Sequence, residues 1–187
     1  MTQRHNPWQT VQQQDVYENP WIRVEHHDVI NPRGQPGIYG KVCFKNRAVG
    51  IIPVDSAGNT WLVGQYRYTL DKWLWEIPMG GAPLHEEPLP TAHRELREET
   101  GLRASNMQQI MFLHTSKSIT DEEGYVYLAT GLTAGATEHE ATEDIEVIQL
   151  PLRDAIAMAQ DARITDIISI AGLLHLALNH QRYGLVL

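Results

Sequence analysis

Glu95, Glu98 and Glu99 fall on one turn of a stretch that reads as helix, and a glycine-bearing loop carrying Glu86 precedes them (GGAPLHEEPLPTAHRELREETGL, residues 80–102). Carboxylates at the i, i+4 spacing of Glu95 and Glu99 repel each other. A folded chain has little structural reason to gather them, whereas a divalent metal bound to a phosphate supplies one. The plainer reading is a solvated charged helix tied by pairs such as Arg94–Glu98.

The helix follows from local geometry. Pro88 suits a first helical position, because its missing N–H would be unpaired there anyway. Leu89, Ala92 and Leu96 recur at spacings of three and four and mark a buried stripe. Gly101 provides a left-handed stop. At roughly 100° per residue the three glutamates span an arc of about 100°. Glu99, seven positions after Ala92, points close to the apolar stripe and so needs a proton, a cation or an arginine. Arg94, four before Glu98, is expected to hold that carboxylate and to leave Glu95 and Glu99 free for a metal.

Gly80, five residues, Glu86, seven residues, Arg94-Glu95-Leu96, one residue, Glu98-Glu99, one residue, Gly101-Leu102 matches the Nudix box at every fixed position. The chain therefore resembles the Nudix hydrolases. The resemblance implies a Mg²⁺-dependent enzyme, with Mn²⁺ as a possible substitute. Glu95 and Glu99 are the first choices as direct ligands, with Glu98 as a further ligand or the base. A backbone carbonyl near Met79 and Gly80 would add an oxygen, and Glu86 would position the loop or help at the metal. His85 and His93 are poor candidates, because Mg²⁺ prefers oxygen. A second acidic segment, residues 138–146, matches a loop that swings over the metals in the ADP-ribose pyrophosphatase branch. Glu143 is its best-matching base and Glu140 the reserve; Ala141 stands where some members carry the base.

NPWIRVEHHDVINPRG, VGQYRY and WLWEIPMGG resemble the ADP-ribose and nucleotide-sugar pyrophosphatases. That branch implies an N-terminal β extension, residues 1–46, that builds a homodimer and part of the partner's pocket, followed by a catalytic domain, residues 47–187. It also implies that Arg67 reaches a phosphate and that Glu76 contacts the sugar or base. Trp21, Tyr17 or Tyr39 would stack on a base, or would pack in the core or dimer. Lys117 stands where many ADP-ribose enzymes carry proline, which gives weight to other nucleoside diphosphate sugars, and it could itself meet a phosphate. The expected reaction is hydrolysis of a nucleoside diphosphate sugar (ADP-ribose, an ADP-hexose or a GDP-hexose) to nucleoside monophosphate and sugar phosphate. The rival readings are an RNA 5′ pyrophosphohydrolase and a non-catalytic nucleotide-binding module.

Composition bounds these readings. The 187-residue chain has a formal charge of −8, which disfavours broad contact with nucleic acid. A small anionic substrate remains compatible if arginines and a cation reverse the sign locally. The single cysteine, Cys43, fits a reducing, cytoplasmic compartment and a buried strand position. The first ten residues lack the apolar run of a signal peptide, and no stretch approaches a membrane span.

Strands are expected at 22–30, 37–45, 48–54, 60–67, 107–114, 125–130 and 145–150, and helices at the box, 152–160 and 165–180. In the last helix Ile167, Ile168, Ala171, Leu174 and Leu178 recur at helical spacing and read as core. Strands with intervening and terminal helices imply an α/β or α+β sandwich. The resemblance specifies the Nudix form, a mixed sheet between helices with the box as loop–helix–loop.

Overall fold

The computed structural model describes residues 5–135 and 144–187. The chain divides into two compact units, one made of residues up to Asn46 with His114–Glu122, the other of Arg47–Leu113 and Glu123–Leu187.

The first unit is an antiparallel sheet of β1 (Gln9–Glu18), β2 (Ile22–Ile30) and β3 (Pro36–Phe44). Register runs from Gln9↔Ile30 in the first pair and from Ile22↔Phe44 to Ile30↔Pro36 in the second. Asn19 closes the β1–β2 turn, its Oδ1 accepting from the N–H groups of Trp21 (2.9 Å) and Ile22 (2.8 Å). Every residue of β1 is exposed, and its sequence, QTVQQQDVYE, has no apolar alternation, which is why no strand is expected there from pattern. Cys43 is buried in β3, as expected.

Asp121 fastens the 114–122 segment to β3. Its carboxylate accepts from the Phe44 N–H at 3.0 Å and pairs with Lys41 at 2.7 Å. Burial pushes this carboxyl's pKa up, but the bonds from Lys41 and Phe44 outweigh that and hold it below the ordinary aspartate value.

The second unit holds two sheets. One has the order β7 (Met79–Pro83), β4 (Asn46–Pro53), β9 (Glu123–Ala134), β8 (Leu102–His114), with β4 and β9 parallel from Ala48↔Gly124 to Pro53↔Ala129. The other is antiparallel, β10 (Glu146–Pro151), β5 (Asn59–Arg67), β6 (Lys72–Glu76). Three α-helices complete it: α1 (Pro88–Thr100), α2 (Leu152–Gln160) and α3 (Ile167–Asn179). Residues 49–53 of β4 are all buried, because both faces of the strand are covered. Val49 and Ile51 pack with Ala92 and Leu96 of α1, while Ile52 packs with Ile168, Leu173 and Leu176 of α3. The expected α/β sandwich is present.

Two packing expectations are corrected. Leu89 is 41% exposed, and the buried face of α1 is Pro88, Thr91, Ala92, Glu95, Leu96 and Glu99. Carboxylates thus occupy part of the stripe that Leu89 was expected to share. In α3, Ile167 and Leu178 are exposed, and the core face is Ile168, Gly172, Leu173 and Leu176. Strands β6 and β7 were not anticipated. Each has five residues, and β7, with two glycines, reads as loop until its pairing with β4 is seen.

Because Asp121 has a depressed pKa in the folded state, its stabilising contribution is present above its unfolded pKa and disappears as pH falls through the folded one. Asp121→Asn is therefore expected to lower the melting temperature at pH 7. The difference from wild type should begin to shrink at about pH 4, the ordinary aspartate value, and close only as the pH falls further through the depressed folded one, as read by thermal melts across pH.

Candidate active site

α1 presents the box carboxylates as a row along one face. Pro88 lies in its first turn, and Gly101 ends it in the left-handed conformation (φ 71°), donating its N–H to the Arg97 carbonyl at 2.8 Å. Glu99 is 2% exposed and Glu95 9%, whereas Glu98 is half-buried. Two neighbouring acids in such a position require compensating donors.

Arg94 is one such donor group. It reaches Glu98 Oε2 through Nη1 and Glu95 Oε1 through Nη2, both at 2.6 Å. The expected Arg94–Glu98 bond is present, but Arg94 also takes Glu95, which corrects the expectation that Glu95 is left free. Burial opposes the positive charge of Arg94, yet Glu95 and Glu98 more than offset it and raise its pKa. Glu99 is engaged too, with Oε2 accepting from the Met79 N–H at 2.9 Å. The reason is geometric: a guanidinium is a fork that two carboxylates one turn apart can share, and the start of β7 runs beside the last turn of α1.

Gly80 explains the first position of the box. A Cβ there would lie 2.0 Å from both Cδ and Oε1 of Glu95, so the carboxylate rests directly on the glycine backbone. Glu86 sits in the turn before α1 with an exposed side chain near His85. Its backbone is what is held, for Arg47 Nη1 donates to the carbonyls of Leu84 (3.0 Å) and Glu86 (3.1 Å) while Nε donates to Glu123 (3.1 Å). Arg47 was not singled out from sequence, and no local pattern marks a contact 37 to 39 residues away.

Arg67 at the end of β5 and Glu76 at the end of β6 bind each other. Arg67 Nε donates to Glu76 Oε1 at 2.9 Å, and Nη2 donates to Oε2. Glu76 is 3% exposed and thus committed to Arg67. The bond to Glu76 raises the Arg67 pKa against the cost of burial, and Glu99 and Asp166 add to it. Trp21, Tyr39 and Lys117 belong to the other unit. Trp21 is 66% exposed and Lys117 is exposed; Tyr39 donates to the Ser118 carbonyl at 2.8 Å and meets Trp8 edge to face. Glu140 and Glu143 lie outside the described residues.

The donors on α1 suit a hard divalent cation in kind, being carboxylate oxygens. A carboxylate offers about four acceptor positions, so accepting from a donor and binding a cation are compatible. Among the described residues, no three acidic, histidine or cysteine side chains converge on one point; Arg94 gathers Glu95 and Glu98 instead.

Residues 44–168 match the NUDIX domain model, and residues 8–42 match the nucleoside diphosphate sugar hydrolase N-terminal domain. The chain belongs to the Nudix family. An ADP-ribose pyrophosphatase of Mycobacterium tuberculosis is 42% identical over 130 residues, covering 68% of this chain and 63% of that protein. An ADP-ribose pyrophosphatase of Bacillus subtilis is 31% identical over 159 residues, covering 84% of this chain and 85% of its own length. The crystal structure of an ADP compounds hydrolase superposes with a TM-score of 0.86 over 99% of this chain and all of that one, at 18% identity, which speaks to the fold.

Gly80→Ala puts a methyl group where the Glu95 carboxylate lies, and because that carboxylate is the far end of a flexible side chain, the variant is expected to displace Glu95 with only a small loss of stability. Denaturant unfolding and a crystal structure of the variant check it; an undisplaced Glu95 carboxylate would mean that it does not rest on Gly80.

Proposed function

We propose that this protein is a Mg²⁺-dependent pyrophosphatase that cleaves a nucleoside diphosphate sugar into nucleoside monophosphate and sugar phosphate. The observation that carries the reading is the pair of buried carboxylates, Glu95 and Glu99, set against the Met79–Gly80 edge. The names of the M. tuberculosis and B. subtilis relatives point to ADP-ribose, and Lys117 in place of proline widens the choice to other nucleotide sugars.

A Mg²⁺ or Mn²⁺ ion held by Glu95, Glu99, the Met79 carbonyl and Glu98 would screen phosphate charge and make water a better nucleophile. The chain's own groups do the rest. Arg94 fixes Glu95 and Glu98, and the Met79 N–H fixes Glu99. Arg67 has five N–H donors, of which Glu76 occupies two, so the remainder can meet a phosphate oxygen. Glu76 then acts through Arg67 rather than on the sugar. Glu98, or Glu143 with Glu140 in reserve, accepts the proton of the attacking water, and Glu86 steadies the turn. Water adds to one phosphorus, the bridging P–O bond breaks, and the electron pair leaves with the other phosphate.

Incubation with ADP-ribose, GDP-mannose and ADP-glucose in Mg²⁺ should release a nucleoside monophosphate from at least one. Turnover of none removes the substrate assignment. Glu99→Gln should lose orders of magnitude in kcat while its melting curve stays cooperative; wild-type rates would exclude Glu99 from the metal site.

The assignment of residues 1–46 as a homodimerising extension that completes the partner's pocket with Trp21, Tyr39 and Lys117 belongs to the same proposal. So does a cytoplasmic location, which the unpaired Cys43 supports. None of the described helices is long and apolar enough to cross a membrane. The β1–β3 sheet and its first turn expose Val11, Val16, Tyr17, Trp21 and Ile38, the last at 71%, and exposed apolar residues of this kind support the reading of an interface. Light scattering after gel filtration should give the mass of two chains, and Val16→Asp with Ile38→Asp should give one. A monomeric wild type would contradict the extension's role.

A further inference from the structure

The segment Glu76–Gly80 carries much of the proposed site, and its backbone is held from outside: the Ile51 N–H of β4 donates to the Pro78 carbonyl at 2.8 Å. Glu99 of α1 takes the Met79 N–H from one side. From the other side, the hydroxyl of Ser169, fully buried in the first turn of α3, accepts the Ile77 N–H at 3.0 Å and donates to Asp166 Oδ2 at 2.8 Å. The same Asp166 oxygen accepts the Ser169 N–H at 2.7 Å as the helix cap. A hydroxyl carries one proton, and here it goes to the carboxylate, so the lone pairs face Ile77. The Ile77 side chain is wedged as well, since a Cβ on Gly50 would lie 2.8 Å from its Cδ1 and 2.9 Å from Ile168 Cγ2.

We infer that Ser169, oriented by Asp166, is a positioning residue for metal binding: its hydroxyl fixes the peptide between Glu76 and Ile77 and thereby sets the Met79 carbonyl and the Glu99 carboxylate. Ile77 stands one residue from Glu76, which holds Arg67, and two from Met79, which holds Glu99. A peptide bond is planar and a proline follows Ile77, so only a few soft dihedrals separate the Ser169 bond from the Met79 carbonyl. Without the hydroxyl, the Ile77 N–H is buried with no acceptor, and the segment gains reason to turn. The inference rests on the metal site proposed above, and it assigns to α3 a part in a site that the box motif places on α1 and the loop before it.

Mn²⁺ binding, followed by the loss of the free-ion electron paramagnetic resonance signal without any substrate, tests it. Ser169→Ala should bind Mn²⁺ about tenfold or more weakly than wild type, and the Mg²⁺ concentration giving half-maximal activity should rise in step. Leu176→Ala, fully buried on the same helix, is the control. It should lower the melting temperature at least as much and leave Mn²⁺ affinity unchanged. If Ser169→Ala does not fold, Asp166→Ala is read in the same way, since it releases the hydroxyl from its orienting partner. Wild-type Mn²⁺ affinity in the folded Ser169 or Asp166 variant overturns the positioning role and leaves the metal site standing, as does equal weakening in Leu176→Ala. No Mn²⁺ binding by the wild type overturns the metal site itself, and this inference with it.

Discussion

Two like-charged carboxylates buried one turn apart on α1 are the constraint around which this protein is arranged. Removing an ionised carboxylate from water costs several kcal/mol even after the surroundings relax, and Glu95 and Glu99 incur that cost side by side. The fold offsets it with a shared guanidinium from Arg94, a peptide N–H from Met79 and a glycine whose missing side chain lets Glu95 settle on the backbone. These arrangements fix the same short stretch of chain, the end of β6 through the start of β7. The cost is understandable if the carboxylates are kept charged for a cation rather than for stability.

The layering of the second unit makes this possible. β4 is covered by α1 on one face and by α3 on the other, so its neighbour, the 76–80 segment, is within reach of both helices. Glu99 holds it from α1 and Ser169 from α3. Arg47 anchors the turn that leads into α1. A site built from one helix is thereby tied to three further parts of the fold. That gives it the rigidity that electrostatic catalysis requires, because preorganised groups need not rearrange during reaction.

What the sequence made legible was local. The ends of α1 follow from Pro88 and Gly101, and the 22–30 strand and the 152–160 helix have the bounds their periodicity predicts. The Arg94–Glu98 pair follows from helical spacing. What stayed hidden was tertiary. No pattern in QTVQQQDVYE marks a strand, since β1 is held by pairing and not by burial. Leu89 looks like core because helical spacing cannot say that acids take its place on the buried face. Arg67 and Glu76 were each given a ligand, and their union depends on the β5–β6 hairpin bringing together residues nine apart. Ser169 and Ile77 are 92 residues apart, and the only hint was an aspartate three positions before a serine at a helix start.

The central claim, that Glu95 and Glu99 are buried in order to bind a hard cation, is tested most directly by anomalous diffraction from crystals soaked in Mn²⁺. The account predicts a manganese peak within bonding distance of Glu95, Glu99 and the Met79 carbonyl. Density showing Glu95 still held by Arg94 and Glu99 by the Met79 N–H, with no peak beside them at saturating Mn²⁺, would contradict it.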